Sequence, residues 1–209
     1  MKIYPGTFIT FEGIDYSGKS VQIKRLAEYL EQEGKTVVVL RDPGTTRISE
    51  KIRHILLDND HHEMTKWTEL LLYEAARAQM VEQTIMPVLQ NGSIVLCDRF
   101  YDSTTAYQGH GRELDIMMVE RANSIGSCGL VPELTILIDL DVDAAIKRRL
   151  DAGMDADRLE SAGIEFQQRV RNGYLEISKQ EPKRVKIVNG DDSIENIATH
   201  IRNIVKTII

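Results

Sequence analysis

Short, continuously apolar runs rich in β-branched residues alternate along the chain with longer segments in which apolar residues recur every three or four positions. Continuous apolar runs are typical of strands buried on both faces, and the longer spacing is typical of helices with one buried face. The pattern predicts strands at 6–12, 36–40, 93–97, 135–140 and 185–188, and helices at 17–33, 48–57, 68–89, 114–125, 143–150, 165–178 and 194–208. Strands that alternate with helices in this way predict a three-layer α/β/α fold, with helices on both faces of a five-stranded parallel sheet.

The clearest motif of the chain follows the first predicted strand directly, where ligands of such folds bind. This motif, G-x-x-x-x-G-K-[ST], comprises Gly13, Ile14, Asp15, Tyr16, Ser17, Gly18, Lys19 and Ser20. Its glycines allow backbone amides at the start of a helix to surround phosphate oxygens, and Lys19 adds a positive charge for the β- and γ-phosphates. The Ser20 hydroxyl is suited to ligate Mg²⁺. We therefore predict a P-loop NTPase-type fold that binds a nucleoside triphosphate, which leaves kinases, GTPases and ATPases open.

A second polar pair, Asp98 and Arg99, follows the predicted strand at 93–97. An acidic residue at this position of a P-loop protein can hold Mg²⁺ directly or through water. The guanidinium of Arg99 can bond two phosphate oxygens at once. Either residue taken alone is also consistent with an ordinary ion pair at a strand end. Beside a P-loop, the pair favours a kinase.

Length and composition set broad limits. A chain of 209 residues with 42% apolar and 28% charged residues is ordinary for a globular protein, and we expect one domain over residues 1–209. The net charge of −6 argues against a nucleic-acid duplex as partner. The longest apolar runs are too short to span a membrane and the first residues form no charged-then-apolar leader, so we expect a cytoplasmic protein.

Over nearly its whole length the sequence resembles the thymidylate kinase family. The resemblance is carried by F-E-G-I-D at 11–15, R-D-P-G-T at 41–45, L-L-L-Y-E-A-A-R at 70–77, D-R-F-Y-D-S-T-T-A-Y-Q-G at 98–109 and D-R-L-E at 157–160. It implies phosphorylation of dTMP to dTDP by direct in-line transfer from ATP, with Mg²⁺, in dTTP biosynthesis. It also implies a homodimer.

The resemblance implies an acceptor site for dTMP built from nine residues: Asp15, Asp42, Arg53, Tyr73, Arg77, Arg99, Thr104, Tyr107 and Gln108. Residues 73 and 77 are four apart and share one helix face, so the ring can stack on a pyrimidine while the guanidinium donates to a base carbonyl. Without the resemblance, such a pair is more typical of a surface cation–π contact. By the same resemblance, Arg53 and Arg99 hold the acceptor phosphate, Asp15 lies near the sugar 3′-hydroxyl, and Tyr107 disfavours a 2′-hydroxyl.

A lid is expected at about residues 148–162. Some members of the family carry a catalytic arginine within the P-loop, and others supply it from the lid. Tyr16 occupies the position of that P-loop arginine in this chain, so the resemblance implies that Arg149 or Arg158 supplies the cation. A solvated charged turn is the alternative interpretation of each. The predicted catalytic set is thus Lys19, Arg99 and Asp15 with Arg149 and Arg158, and the predicted metal ligands are Ser20 and Asp98.

Two departures from the family pattern bear on base preference, because Asp42 replaces a glutamate and Tyr73 replaces a phenylalanine. A kinase for another pyrimidine nucleotide or deoxynucleotide therefore stays open. A regulatory ATPase or switch is the alternative from another class of protein. The chain has no N-K-x-D segment of the kind that reads guanine in GTPases.

Overall fold

The computed structural model describes residues 4–153 and 158–209, and in these ranges five parallel strands form one sheet. The strands are β1 (Thr7–Glu12), β2 (Val37–Arg41), β3 (Ile94–Asp98), β4 (Leu134–Asp139) and β5 (Val185–Asn189). Their order is β2-β3-β1-β4-β5. The predicted five-stranded parallel sheet is confirmed, with strand ends within one or two residues of the predicted ones.

The helices lie between the strands as the hydrophobic spacing predicts. They are α1 (Lys19–Gln32), α2 (Arg47–Leu57), α3 (Lys66–Met80), α4 (Met86–Gln90), α5 (Tyr101–Thr104), α6 (Ile116–Gly126), α7 (Val142–Asp151), α8 (Ile164–Gln180) and α9 (Ile194–Val205). A π-helical turn at Val81–Ile85 joins α3 to α4, so the single predicted helix at 68–89 is continuous but widens in its middle.

One helical segment was not predicted. Helix α5 continues into a π-helical turn at Thr105–Gly111. The region combines threonine, glycine and aromatic residues and shows no apolar period, and both glycine and β-branched residues disfavour a helix. Tertiary packing against α8 stabilises it instead, because Gly111 fits directly against Phe166 and Val170 of that helix.

Apolar side chains pack on both faces of the sheet. Ile9 and Phe11, two residues apart on β1, face α1 and α9, whereas Phe8 faces the π-helical turn that follows α3. This alternation is the consequence of the two-residue period of a strand. It confirms the three-layer α/β/α arrangement.

The register of the sheet places the candidate residues at one edge. Phe11 of β1 lies beside Asp98 of β3, and Arg41 of β2 lies on the other side of Asp98. The chain leaving each of these strands therefore emerges at the same edge. The P-loop, the segment 42–45 and Arg99 follow these three strand ends.

Helix α2 is anchored against α3 by polar contacts at its start. The Thr46 hydroxyl caps α2 by accepting from the backbone amide of Ser49, and the Ser49 hydroxyl donates to the carbonyl of Ala76 in α3. This contact fixes Arg53 of α2 relative to Tyr73 of α3.

The predicted lid at about 148–162 begins in the last turn of α7 and includes a short 3₁₀ turn at Glu160–Ala162 before α8. Asp157, which the family motif includes, lies outside the described residues. Across the described ranges, every helix falls short of the length and apolar character needed to cross a membrane.

Candidate active site

The P-loop takes up a backbone conformation that only glycine tolerates well at two of its positions. Gly13 has φ 134°, and a Cβ there would lie 2.4 Å from the carbonyl oxygen of Ile138. Gly18 has φ 101° and precedes α1 without a side-chain cap. The first amides of α1 are therefore not bonded by a capping side chain, which suits the binding of a phosphate.

Lys19 is held inside this loop. Its Nζ donates to the carbonyl oxygens of Gly13 and Ile14 at 3.0 and 2.9 Å. Burial and the charge of Arg99 lower the pKa of Lys19 to about 8. A bound phosphate would oppose this shift by stabilising the charged form.

Ser20 and Asp98 meet at the edge of the sheet, where the Ser20 hydroxyl donates to Oδ2 of Asp98 at 2.8 Å. No group of three or more histidine, cysteine or acidic residues is placed to hold a metal within the described part of the chain. Two hard oxygen ligands fit Mg²⁺, which usually completes its shell with water and substrate phosphates rather than with a protein cage. The donor set thus fits the predicted ion.

Arg99 lies at the centre of the hydrogen bonds described next. Its backbone has a positive φ of 72°, which is uncommon for a residue with a side chain. Its Nη2 donates to Asp15 at 2.6 Å, and its Nη1 donates to the carbonyl of Gly13 at 2.9 Å and to the hydroxyl of Tyr174 at 3.0 Å. The guanidinium carbon lies 5.1 Å from the centre of the Tyr107 ring. These contacts hold a cation between the P-loop and the cavity described next.

Asp15 joins the P-loop to Tyr107, whose hydroxyl donates to Oδ2 at 2.9 Å. Burial would raise the pKa of Asp15, but the charges of Arg99 and Lys19 outweigh it and lower the value to about 2. Asp15 is therefore ionised at neutral pH and can accept a hydrogen bond from a ligand hydroxyl.

A cavity of about 70 Å³, here called the acceptor cavity, lies beside Arg99. All nine residues predicted for the acceptor site line it, together with Pro43, Leu57, Ser103 and Leu159. They come from the P-loop, the segments after β2 and β3, helices α2, α3 and α5 with the turn after α5, and the predicted lid. The fold thus brings these residues to one place.

Arg77 is buried in this wall and is only 1% exposed. Nε donates to Asp42 at 2.6 Å, Nη1 to Glu74, and Nη2 to the Thr104 hydroxyl at 2.7 Å. The alternative of a surface cation–π pair with Tyr73 is therefore wrong. Asp42 bonds Arg77 through one oxygen, although its family counterpart was expected to face the acceptor or its metal.

Arg53 lines the same cavity from α2. Its Nη1 donates to the carbonyl oxygen of Pro43 at 3.1 Å. Arg53 and Arg99 thus present two positive charges to one small volume, as an anionic ligand requires.

The two candidate lid arginines lie in different places. Arg149 lines a separate cavity of about 410 Å³, together with Ile14, Asp15 and Tyr16 of the P-loop. Arg158 instead donates to the carbonyl of Leu56 at 2.8 Å and to Glu69 at 2.6 Å, on the side of the acceptor cavity. Within residues 4–153 and 158–209, Arg149 forms no such hydrogen bond or ion pair.

Sequence reasoning did not single out several residues of this network. Glu12 accepts from the amide of Phe100 and from the hydroxyls of Ser103 and Tyr174. Burial and the charge of Asp102 raise the pKa of Glu12 to about 7. The sequence signal that could have pointed to Glu12 is its position as a carboxylate at the end of an otherwise apolar strand.

Arg148 and Glu69 were also not predicted to act at the site. Arg148 donates to the carbonyls of Tyr16 and Gly190 at 3.3 and 2.8 Å, so it links the P-loop to the turn after β5. Its only sequence signal was the basic pair that it forms with Arg149. Glu69 binds three donors and gave no sequence signal beyond an acidic first helical turn.

Comparison with known proteins agrees with this arrangement. A sequence profile of the family described as thymidylate kinase matches residues 11–201. The thymidylate kinase of Pelotomaculum thermopropionicum is 48% identical over 184 residues, which cover 88% of this chain and 85% of that protein. That of Geotalea uraniireducens is 45% identical over 195 residues, covering 91% and 92%.

A solved structure gives the same result at the level of the fold. The crystal structure of thymidylate kinase from Ehrlichia chaffeensis superposes with a TM-score of 0.78 at 32% identity, covering 96% of this chain and 98% of that one. With the profile match over most of the sequence, these similarities establish that the chain belongs to the thymidylate kinase family of nucleoside monophosphate kinases.

Proposed function

We propose that this enzyme transfers the γ-phosphoryl group of ATP to dTMP, which yields ADP and dTDP for dTTP biosynthesis. The observation that carries the proposal is the continuity of the P-loop with the acceptor cavity, because Asp15 and Arg99 belong to both. A donor phosphate on the loop and an acceptor phosphate beside Arg99 would therefore be neighbours.

The transfer needs no general base, because the acceptor phosphate is already ionised. A phosphate oxygen of dTMP attacks the γ-phosphorus while the bond to the β–γ bridging oxygen of ATP breaks, and ADP leaves with that oxygen. The protein contributes positioning and charge neutralisation. Lys19 and the amides of residues 13–20 bind the donor phosphates, and Arg53 and Arg99 bind the acceptor phosphate.

We propose Ser20 and Asp98 as the residues that hold Mg²⁺ with ATP, and their oxygens match the preference of that ion. Bound there, the ion would neutralise charge on the donor phosphates. Asp15 would accept from the sugar 3′-hydroxyl, and the Tyr107 ring would lie where a 2′-hydroxyl would otherwise project. Tyr73 would stack on the thymine base, with Arg77, Thr104 and Gln108 around its polar edge.

For the lid we propose Arg149 as the catalytic cation. Arg149 shares its cavity with Asp15 and Tyr16, next to the donor phosphates, whereas Arg158 is bound to Glu69 on the acceptor side. A cation over the transferring group would stabilise the charge of the transition state. Arg158 then serves to hold its neighbour Leu159, which lines the acceptor cavity.

A coupled assay of ADP release over dTMP, dUMP, dCMP, UMP, CMP and thymidine tests the function. We expect a wide preference for dTMP and little turnover of thymidine, which lacks the phosphate that Arg53 and Arg99 would bind. Preference for UMP or CMP, or equal rates for all, would reject the assignment. Arg99→Ala should lose far more kcat/KM than the matched control Tyr73→Phe.

We also propose a cytoplasmic homodimer. Large apolar side chains are exposed on α2, α3 and α6, where α3 packs against both neighbours. They include Ile48, Leu71, Met117 and Ile125, of which Leu71 is 62% exposed. Light scattering at micromolar concentration should give the dimer mass, and Leu71→Asp should give the monomer mass if this face is the interface.

A further inference from the structure

Glu69 is a buried carboxylate that binds three donor residues from two separate parts of the chain, the turn after α5 and the predicted lid. Its Oε1 accepts from Nε2 of Gln108 at 2.9 Å and from Nε of Arg112 at 3.1 Å. Its Oε2 accepts from Nη2 of Arg112 at 3.1 Å and from Nη1 of Arg158 at 2.6 Å. Glu69 is 1% exposed and does not itself line the acceptor cavity.

The carboxylate is ionised in this environment. Burial alone would raise the pKa of Glu69, but hydrogen bonds from Arg112 and Gln108 and the charges of Arg112 and Arg158 lower it below its usual value. An ionised carboxylate accepts hydrogen bonds and donates none. The side-chain amide of Gln108 must therefore turn its NH₂ group toward Glu69, because its carbonyl oxygen would face another acceptor.

The orientation of Gln108 decides what it offers to a ligand. Gln108 lines the acceptor cavity, and no hydrogen bond among the described residues reaches its Oε1. It follows Thr104 by four residues in one helical segment, and Thr104 is bonded to Arg77. The carbonyl oxygen of Gln108 is thus the group left for a base held beside Arg77.

Arg77 has the opposite polarity, because a guanidinium only donates. The pair therefore presents one donor and one acceptor to the base. Thymine and uracil carry a carbonyl oxygen at C4 next to an N3–H donor, which matches this pair. Cytosine carries an amino donor at C4 next to an N3 acceptor, so both contacts would be mismatched.

We propose that Glu69 is a specificity-determining positioning residue that fixes the amide of Gln108 so that its carbonyl oxygen faces the base and cytosine is rejected. The inference rests on the proposed function, since it concerns the base of the same acceptor. Glu69 thus does more than connect α3 to the turn after α5, because it decides which end of the Gln108 amide faces the base.

The test uses Glu69→Gln, whose amide can donate to Gln108 and so permits the reversed orientation. We expect the ratio of kcat/KM for dTMP over dCMP to fall at least tenfold. Arg77 and Thr104 keep their contacts, so the preference for dTMP over dCMP becomes smaller but is not lost. The ratio of dTMP over dUMP should stay within threefold of the wild type, because these bases share the same polar edge.

Two further variants separate polarity from general distortion. Arg112→Met removes one partner of Glu69 but leaves the carboxylate facing Gln108, so the dTMP/dCMP ratio should stay within threefold of the wild type. The double variant Glu69→Gln/Gln108→Glu exchanges the two side chains, so that a carboxylate oxygen at position 108 faces the base as an acceptor. It should restore the dTMP/dCMP ratio of the wild type. This double variant decides the matter even if Glu69→Gln alone is recovered unfolded.

The outcomes distinguish this inference from the proposed function. An unchanged dTMP/dCMP ratio in Glu69→Gln, an equal fall in Arg112→Met, or a collapsed ratio in the double variant would overturn the role of Glu69. Failure of the wild-type enzyme to phosphorylate dTMP would overturn the proposed function instead.

Discussion

Replacing Arg149 by methionine removes its charge while keeping most of its length, and we expect a large loss of kcat. Arg149 lies in the cavity formed with Asp15 and Tyr16, and Tyr16 stands where a P-loop arginine would otherwise supply the cation. A positive charge about 4 Å from a phosphoryl oxygen contributes about 4 kcal/mol at an effective dielectric constant of about 20. Arg149 is half-buried, so solvent screens part of this energy, and we take half of it, about 2 kcal/mol, as the smaller expected effect.

These energies correspond to a loss of about 30-fold to about 1,000-fold in kcat, since about 1.4 kcal/mol is tenfold. The measurement is kcat at saturating ATP and dTMP, with thermal unfolding to confirm that the variant is folded. Arg149→Lys keeps the charge but not the planar fork, so it should recover part of the loss.

Arg158→Met is the matched control on the other lid arginine. Because Arg158 is bound to Leu56 and Glu69, its loss should change KM for dTMP and lower the melting temperature while kcat stays within about tenfold. A kcat that falls more in Arg158→Met than in Arg149→Met would refute the proposed assignment. An Arg149→Met enzyme whose kcat stays within threefold of the wild-type value would also refute it.

Three further predictions concern the P-loop and the buried ion pair. The pKa of Lys19, about 8, means that its charge is lost as pH rises through that value, so kcat/KM for ATP should fall above pH 8 in the free enzyme; a flat profile to pH 9.5 would contradict this. Asp42→Asn leaves Arg77 with a weakened buried partner and should destabilise the fold by about 3–5 kcal/mol, measured by denaturant unfolding; a loss below about 1 kcal/mol would show that the pair is dispensable. Gly13→Ala should abolish ATP binding in calorimetry, because its Cβ meets a carbonyl at 2.4 Å, whereas Gly34→Ala, with open space around it, should bind normally and lose about 1 kcal/mol of stability.

The strands and most helices were predictable because local sequence decides them. Each strand is a continuous apolar run, and the P-loop precedes a clear amphipathic helix. The helical turn at Thr105–Gly111 was not predictable, since its stability comes from contact with α8 rather than from its own residues.

The candidate site follows a similar division. Motifs located the nine acceptor residues, and the fold gathers them into one cavity, while their roles stay predictions. The partners of Arg77 depend on tertiary contacts, because Asp42 lies 35 residues away in the chain. The difference between Arg149 and Arg158 also required the fold, since Arg158 meets a glutamate 89 residues distant.

The small size of the acceptor cavity has a consequence for affinity. A volume of about 70 Å³ corresponds to about two water molecules, whereas ligand pockets usually measure about 300–1,000 Å³. Leu159 lines this cavity, and its neighbour Arg158 is bound to Glu69. If dTMP binds in this cavity, the lining side chains have to move apart, and the energy of that rearrangement weakens the apparent affinity. Because Leu159 follows Arg158 directly, we expect a change at the ion pair between Arg158 and Glu69 to alter the KM for dTMP, although both residues lie outside the cavity lining.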